Sequence, residues 1–232
     1  MKLYFLPLLF LVASLSNTYA QDAELYSTSG LEIIFSGAAV HEKSGQQGSN
    51  ILRFAPVFNF QSMLNYDANP NLGIFSGIAI RNVGFIYDPP NSGERKKYRT
   101  YNLGVPFGVK IGQLRQGFFY GGYELELPFH YKEKTIVNEQ KSKFSVWFSN
   151  RTPTLTHSFF AGIQLPKGFN LKFKYYLTNF FNHGYTETDS DGNTSQPYAG
   201  FDANVFYISL NANLFKNVKF YYSKEVQDYY NE

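Results

Sequence analysis

Between residues 101 and 111 apolar and polar side chains alternate without a break. Tyr101, Leu103, Val105, Phe107, Val109 and Ile111 fall on one face of an extended chain, and Asn102, Gly104, Pro106, Gly108 and Lys110 on the other. Successive side chains of a strand point to opposite sides, so a period of two predicts strand and argues against helix. Residues 119–131 repeat the pattern, with Phe119, Tyr123, Leu125, Leu127, Phe129 and Tyr131 opposing Tyr120, Gly122, Glu124, Glu126 and His130. So do residues 169–181, where Phe169, Leu171, Phe173, Tyr175 and Leu177 stand against Asn170, Lys172, Lys174, Tyr176 and Thr178. A core strand of a water-soluble protein rarely sets two Glu or two Lys behind so bulky an apolar face.

Five further segments read as strands: 31–40, 51–60, 73–86, 155–165 and 203–215. Apolar residues occupy both faces of 31–40 and 73–86, so their register is less marked. Pro56, Pro106 and Pro128 each remove a ladder donor, which predicts bulges or strand ends at those points. The connections 112–117 and 166–168 are short, whereas 87–98, 132–153 and 182–200 are long and polar. The segment 41–50 is a modest loop, and 61–72 reads as a rather long turn. Short turns at one end and long loops at the other are the signature of outer-membrane barrels, whose outer loops are the long ones. The expected fold is therefore all-β, a transmembrane up-and-down antiparallel β-barrel of about eight strands with both chain ends on the periplasmic side.

Composition sharpens this picture. The 232 residues include 24 Phe and 19 Tyr but one Trp, a supply of aromatics suited to a barrel wall and its interfacial girdles. Phe118, Phe119, Phe169 and Phe215 fall near inner strand ends, and Tyr101, Phe129, Tyr131, Phe181 and Phe206 near outer ones. Lys2, the apolar run 3–15 and the small residues of Thr18-Tyr19-Ala20 form a secretory signal pattern. The expected organisation is thus a cleaved signal peptide (1–20), a barrel domain (21–215) and a polar-aromatic tail (216–232). With no Cys, disulfides and thiolate metal sites are excluded. A formal net charge of +3 gives no ground for a nucleic-acid partner.

The segment Arg81-Asn82-Val83-Gly84-Phe85, a polar loop, and then Lys97-Tyr98-Arg99-Thr100-Tyr101-Asn102-Leu103-Gly104-Val105-Pro106-Phe107-Gly108-Val109-Lys110-Ile111-Gly112 resembles the outer-membrane β-barrel families of Bacteroidota, including PorT-like proteins. The resemblance implies the fold and an outer-membrane location, and carries no catalytic residue across.

An eight-stranded barrel is only wide enough to be filled by side chains. Its inward polar residues must then satisfy one another. Centring the 112–117 turn near Leu114 sets Gly104 opposite Glu124 and Asn102 opposite Glu126, and centring the 87–98 loop near Ser92 brings Arg81 level with Leu103. The expectation is an interior ionic cluster of Arg53, Arg81, Lys172 and Lys174 around Glu124 and Glu126, with Gly77, Ala79, Gly104 and Gly122 leaving room. Four positive groups against two negative ones require compensation by Glu32, water or an anion.

Catalytic and metal readings find less support. His157 and Ser158 alternate on one strand and so face apart, which prevents the Ser–His contact that nucleophilic catalysis needs. His41 and His183 sit at loop edges near Asp88 and Asp189. Glu187-Thr188-Asp189-Ser190-Asp191-Gly192 spaces its acids as a calcium loop does, but Tyr198 stands where such a loop needs Glu. No catalytic residue, cofactor or metal site is assigned. Arg95, Lys96, Lys97 and Arg99 suggest contact with lipopolysaccharide phosphates, and Trp147 and Phe148 a platform for carbohydrate. The expected protein is a monomeric, non-enzymatic barrel in outer-membrane lipid, with surface loops for binding or envelope integrity and a closed, charge-plugged lumen. The alternatives are a lipid-modifying barrel enzyme and a soluble, lipocalin-like periplasmic barrel with its apolar face inward.

Overall fold

Hydrogen-bonded pairing runs from strand to strand until it returns to its start. A computed structural model describes residues 23–43, 45 and 48–217. The expected signal peptide and the tail beyond Asn217 lie outside the described residues. The strands are β1 (Glu24–Glu42), β2 (Ser49–Ile51), β3 (Arg53–Ala55), β4 (Phe60–Asn69), β5 (Leu72–Asp88), β6 (Glu94–Gln113), β7 (Gly117–Val137), β8 (Gln140–Trp147), β9 (Thr156–Gln164), β10 (Phe169–Tyr176), β11 (Glu187–Thr188), β12 (Thr194–Ser195) and β13 (Phe201–Asn217). The ring reads β1-β4-β5-β6-β7-β9-β10-β13, and β13 pairs antiparallel with β1 from Ser27↔Asn217 to Glu42↔Phe201. Eight antiparallel strands therefore close a barrel, which leaves no ring strand with an unpaired edge along its whole length.

The tight turns, at Pro70-Asn71, Leu114–Gln116 and the short 3-10 turn Pro166–Gly168, lie at one end of the barrel. At the loop end β7 outgrows its ring neighbour β9 and pairs with β8 instead, so β6, β7 and β8 rise as a three-stranded sheet above the rim. A small hairpin, β11–β12, stands in the loop before β13.

The second ring strand differs from expectation. Residues 61–72, read as a turn, contain most of β4, and the turn itself is two residues long. Its polar inward residues, Asn65 and Asp67, give the stretch the composition of a turn although Leu64 and Tyr66 alternate outward. Residues 51–60 supply only the last residue of β2, then β3, an irregular crossing and the first residue of β4. Pro56 follows the end of β3, and Phe58 takes a positive φ of 62°. The lost ladder there is replaced by Asn59, whose amide donates to Ala55 O (2.8 Å) and whose Oδ1 accepts from Asn82 N–H (2.8 Å).

Pro128 produces the bulge its missing donor predicts. Tyr101 pairs with His130 but Asn102 pairs with Pro128, leaving Phe129 as the extra residue. One extra residue exchanges the faces beyond it. Tyr131 therefore points inward and is buried, while His130 turns outward to stack on Trp147, the reverse of the sequence expectation. Phe118 and Phe181 are likewise buried within rather than girdling the outside.

Elsewhere the alternation resolves into an apolar exterior and a polar interior. Ile111, Phe119 and Ile163 form an outward row near the turns, and Phe107, Tyr123 and Phe159 another at mid-height. Phe107 is 57% and Phe119 65% exposed, whereas Lys110, Glu124, Glu126 and Lys174 on the opposite faces are at most 2% exposed.

Candidate functional site within the lumen

The residues that could act chemically converge at mid-height inside the barrel, because inward positions of β1, β5, β7 and β10 reach one level there. The hairpin register sets Gly104 against Glu126 and Pro106 against Glu124, two residues from the expected alignment, and Arg81 against Asn102.

Arg81 sits at the centre. Its Nε donates to Glu124 Oε1 (2.8 Å) and its Nη2 to Glu124 Oε2 (3.1 Å), a two-pronged fork. Its Nη1 reaches Glu32. Lys172 Nζ bonds Glu32 Oε1 at 2.7 Å, Lys174 Nζ bonds Glu124 Oε2 at 2.7 Å, and Lys174 also pairs with Glu126. Neutral groups complete the carboxylate shells. Tyr176 OH donates to Glu126 (2.8 Å to Oε1), Asn102 Nδ2 to Glu126 Oε2 (2.6 Å), and Ser209 Oγ to Glu32. The ring of Tyr207 lies near both ammonium groups, 5.9 Å from Lys172 Nζ and 5.8 Å from Lys174 Nζ.

Five of the six residues singled out from sequence thus meet, and Arg53 does not join them. It lies nearer the loop end, its guanidinium donating to Asn82 O (3.0 Å) and reaching Ser36 Oγ (3.4 Å). The crossing that displaced the second strand carries Arg53 above the carboxylates. Glu32 takes the vacant role as the third acid. The layer then holds three cations and three carboxylates, so neutrality requires no outside anion. Buried charge without such pairing is costly.

Gly104 is what admits these carboxylates. A Cβ built there falls 2.3 Å from Glu124 Oε1 and 3.2 Å from Glu126 Cγ. Gly104→Val is expected to destabilise the barrel by about 1–3 kcal/mol through overpacking. A lowered denaturation midpoint in a gel-shift unfolding assay checks it, and an unchanged midpoint refutes it.

A second ion pair was missed from sequence because β4 was read as a turn. Lys110 Nζ pairs with Asp67, Tyr26 OH donates to Asp67 Oδ2 (3.1 Å), and Asn65 Oδ1 lies 3.2 Å from Lys110 Nζ. Between this pair and the central layer is a small cavity of about 50 Å³ walled partly by Phe75, Phe118, Tyr120 and Phe160. Toward the loop end, Phe85, Tyr98, Tyr131, Phe180, Phe181 and Tyr198 fill the bore, with Phe181 and Tyr198 stacked at 4.2 Å. Above them opens a cup of about 510 Å³ bordered by Glu42, Glu133, Arg151 and Phe144.

The histidines are dispersed. His157 faces outward and its Nδ1 lies 2.7 Å from Tyr123 OH, whereas Ser158 faces inward and donates to Glu124 O (3.3 Å). His183 Nε2 is 3.1 Å from Asp202 Oδ1, and His41 is exposed on β1. Asp88 is forked by Arg95 (2.9 and 2.8 Å). Asp189 accepts the amides of Asn193 (2.8 Å) and Asp191 (3.0 Å), which hold its carboxyl below the usual aspartate range. Its acid side chain closes its own turn.

These features define a closed eight-stranded antiparallel barrel, apolar outside and ionic within. No family model and no curated protein matches the chain. Among solved structures it is similar to the attachment invasion locus protein Ail of Yersinia pestis, with 13% identity, 83% of this chain and 99% of that chain covered, and a TM-score of 0.34. It is also similar to Neisserial surface protein A (7% identity, 84% and 100% covered, TM-score 0.35) and to the outer membrane protein OprG from Pseudomonas aeruginosa (10%, 84% and 98%, TM-score 0.36).

Proposed function

We propose that this chain is an integral outer-membrane β-barrel, exported behind residues 1–20, that acts without catalysis through its outer surface while its lumen stays shut. The observation that carries the reading is the polarity of the wall. Outward residues such as Phe107, Phe119 and Phe159 lie bare on the outside while every charge of the central layer is buried inside. Hydrocarbon accepts the first, and closure of the ring satisfies the backbone that hydrocarbon cannot. The opposite polarity is what a lipocalin-like barrel in water would need.

The lumen supports a sealed rather than a conducting barrel. The Arg81 layer, the Lys110–Asp67 pair and the aromatic fill succeed one another along the bore. A Ser–His pair facing one another would favour a lipid-modifying enzyme, but Ser158 and His157 are on opposite faces. The resemblance carried by the segment from Arg81 to Gly112 supports a kinship with the PorT-like barrels of Bacteroidota.

Cell fractionation tests the proposal. Extraction only by detergent, faster migration on unboiled gels and absence of steady currents in planar bilayers are expected. Recovery in the soluble periplasmic fraction would overturn the membrane reading, and large steady single-channel currents would overturn the sealed lumen.

A further inference from the structure

On the outward face of β6, β7 and β8 the side chains change character abruptly. Tyr101, His130 and Trp147 are directly paired and form a stacked aromatic row, with ring centroids 5.7 Å apart for Tyr101–His130 and 4.3 Å for His130–Trp147. Aromatic rows of this kind mark the membrane–water interface. Two residues further from the barrel, on the same face, Arg99 pairs with Lys132 and Lys132 with Ser145. Two residues beyond that, Lys97, Lys134 and Lys143 stand side by side across all three strands. At about 3.3 Å per residue and a tilt near 40°, these rows lie about 5 and about 10 Å above the aromatics. The first row thus lies within a headgroup layer about 5–8 Å thick on each side of the hydrocarbon, and the second at its outer edge.

Like charges directly opposite one another destabilise a sheet. Here the lattice repeats the unfavourable pairing, and the acids of the same strands do not relieve it. Glu133 turns to the inner cup, where Tyr131 OH donates to it (2.9 Å), and Glu94 pairs with Lys96 (3.7 Å). Among the described residues, no carboxylate forms an ion pair with Lys97, Arg99, Lys132, Lys134 or Lys143. Lys134 feels the crowding, its ammonium held below the usual lysine value by desolvation and then by Lys141, Lys97, Lys143 and Arg99. Lys132 Nζ lies 5.3 Å from the Tyr101 ring centroid, joining the cations to the aromatic row.

We infer that this lattice, Lys97, Arg99, Lys132, Lys134 and Lys143, is a binding site for the phosphate groups of an anionic outer-leaflet lipid of the lipid A type. The inference rests on the membrane reading above. A lipid is favoured over a soluble anion because the cations continue the lipid-facing surface without interruption, and phosphate oxygens between the rows would convert repulsion into charge-assisted hydrogen bonds.

The test compares wild type with K97S/K132S/K134S/K143S and with the corresponding four-fold Lys→Arg variant. Each is refolded in uncharged detergent, mixed with diphosphorylated or phosphate-free lipid A, and examined by native mass spectrometry. Wild type and the Arg variant are expected to retain the diphosphorylated lipid at least tenfold better than the phosphate-free one. The Ser variant should lose that preference while keeping its heat-modifiable gel band and unfolding no earlier in detergent alone. Equal retention by wild type and Ser variant overturns the site. Competition by millimolar inorganic pyrophosphate that strips the lipid from wild type overturns the lipid assignment in favour of a soluble anion. Failure of wild type to fold in detergent overturns the membrane reading, a different outcome from folding without lipid preference.

Discussion

Arg81→Gln should unfold at markedly lower denaturant than wild type, with a loss of about 3–5 kcal/mol, the range for breaking a buried ion pair. Arg81 serves two carboxylates at once, forking Glu124 and reaching Glu32, and it is 1% exposed. Removing its charge leaves Lys172 and Lys174 to balance Glu32, Glu124 and Glu126 where water cannot screen the excess. Arg81→Lys should fall between the two, because an ammonium keeps the charge but cannot make the parallel fork. Arg81→Gln/Glu124→Gln should recover part of the loss, since the double variant restores neutrality. Gel-shift unfolding of the detergent-solubilised barrel measures all three. Additive losses in the double variant would mean that the two residues do not act as a pair.

The wall of the barrel was legible in its sequence because a strand with one apolar and one polar face cannot disguise its period. Residues 101–111 and 169–176 alternate as expected from end to end, and Lys172, Lys174, Glu124 and Glu126 all point inward as that alternation requires. What remained hidden depended on events of a single residue. Phe129 is inserted at Pro128, and this exchanges His130 with Tyr131 and so determines which residues form the outer aromatic row. Proline announces that a donor is missing, but not on which side of it the extra residue falls. Around Pro56 the ladder is abandoned for side-chain bonds from Asn59, and no periodic signal reports such a crossing. The position of Arg53 depends on it. Glu32 shares its strand with apolar residues on both faces, so the sequence offered it only beside water or an anion as the compensating group, and closure of β1 on β13 makes it the third acid of the layer.

Phe107→Arg is expected to cost about 2–4 kcal/mol in a bilayer, the range for a cation at the midplane of a barrel wall. The same change at Tyr101 should cost about 0–1 kcal/mol, because its row lies at the interface. Phe107 is already 57% exposed, so no packed core is disturbed and no inward charge is approached. In water, a surface exchange of this kind falls within about 0.5 kcal/mol of neutral and tends to improve solubility. The penalty therefore reports the medium outside the wall rather than the fold within it. Leu103, one row below the aromatics on the same strand, should give an intermediate loss. Denaturant titration in phospholipid vesicles, repeated for the three Arg variants, yields the depth profile. A flat profile would mean that the exposed rows of β6, β7 and β9 do not face hydrocarbon, and the barrel would have to be read as a protein of the aqueous phase.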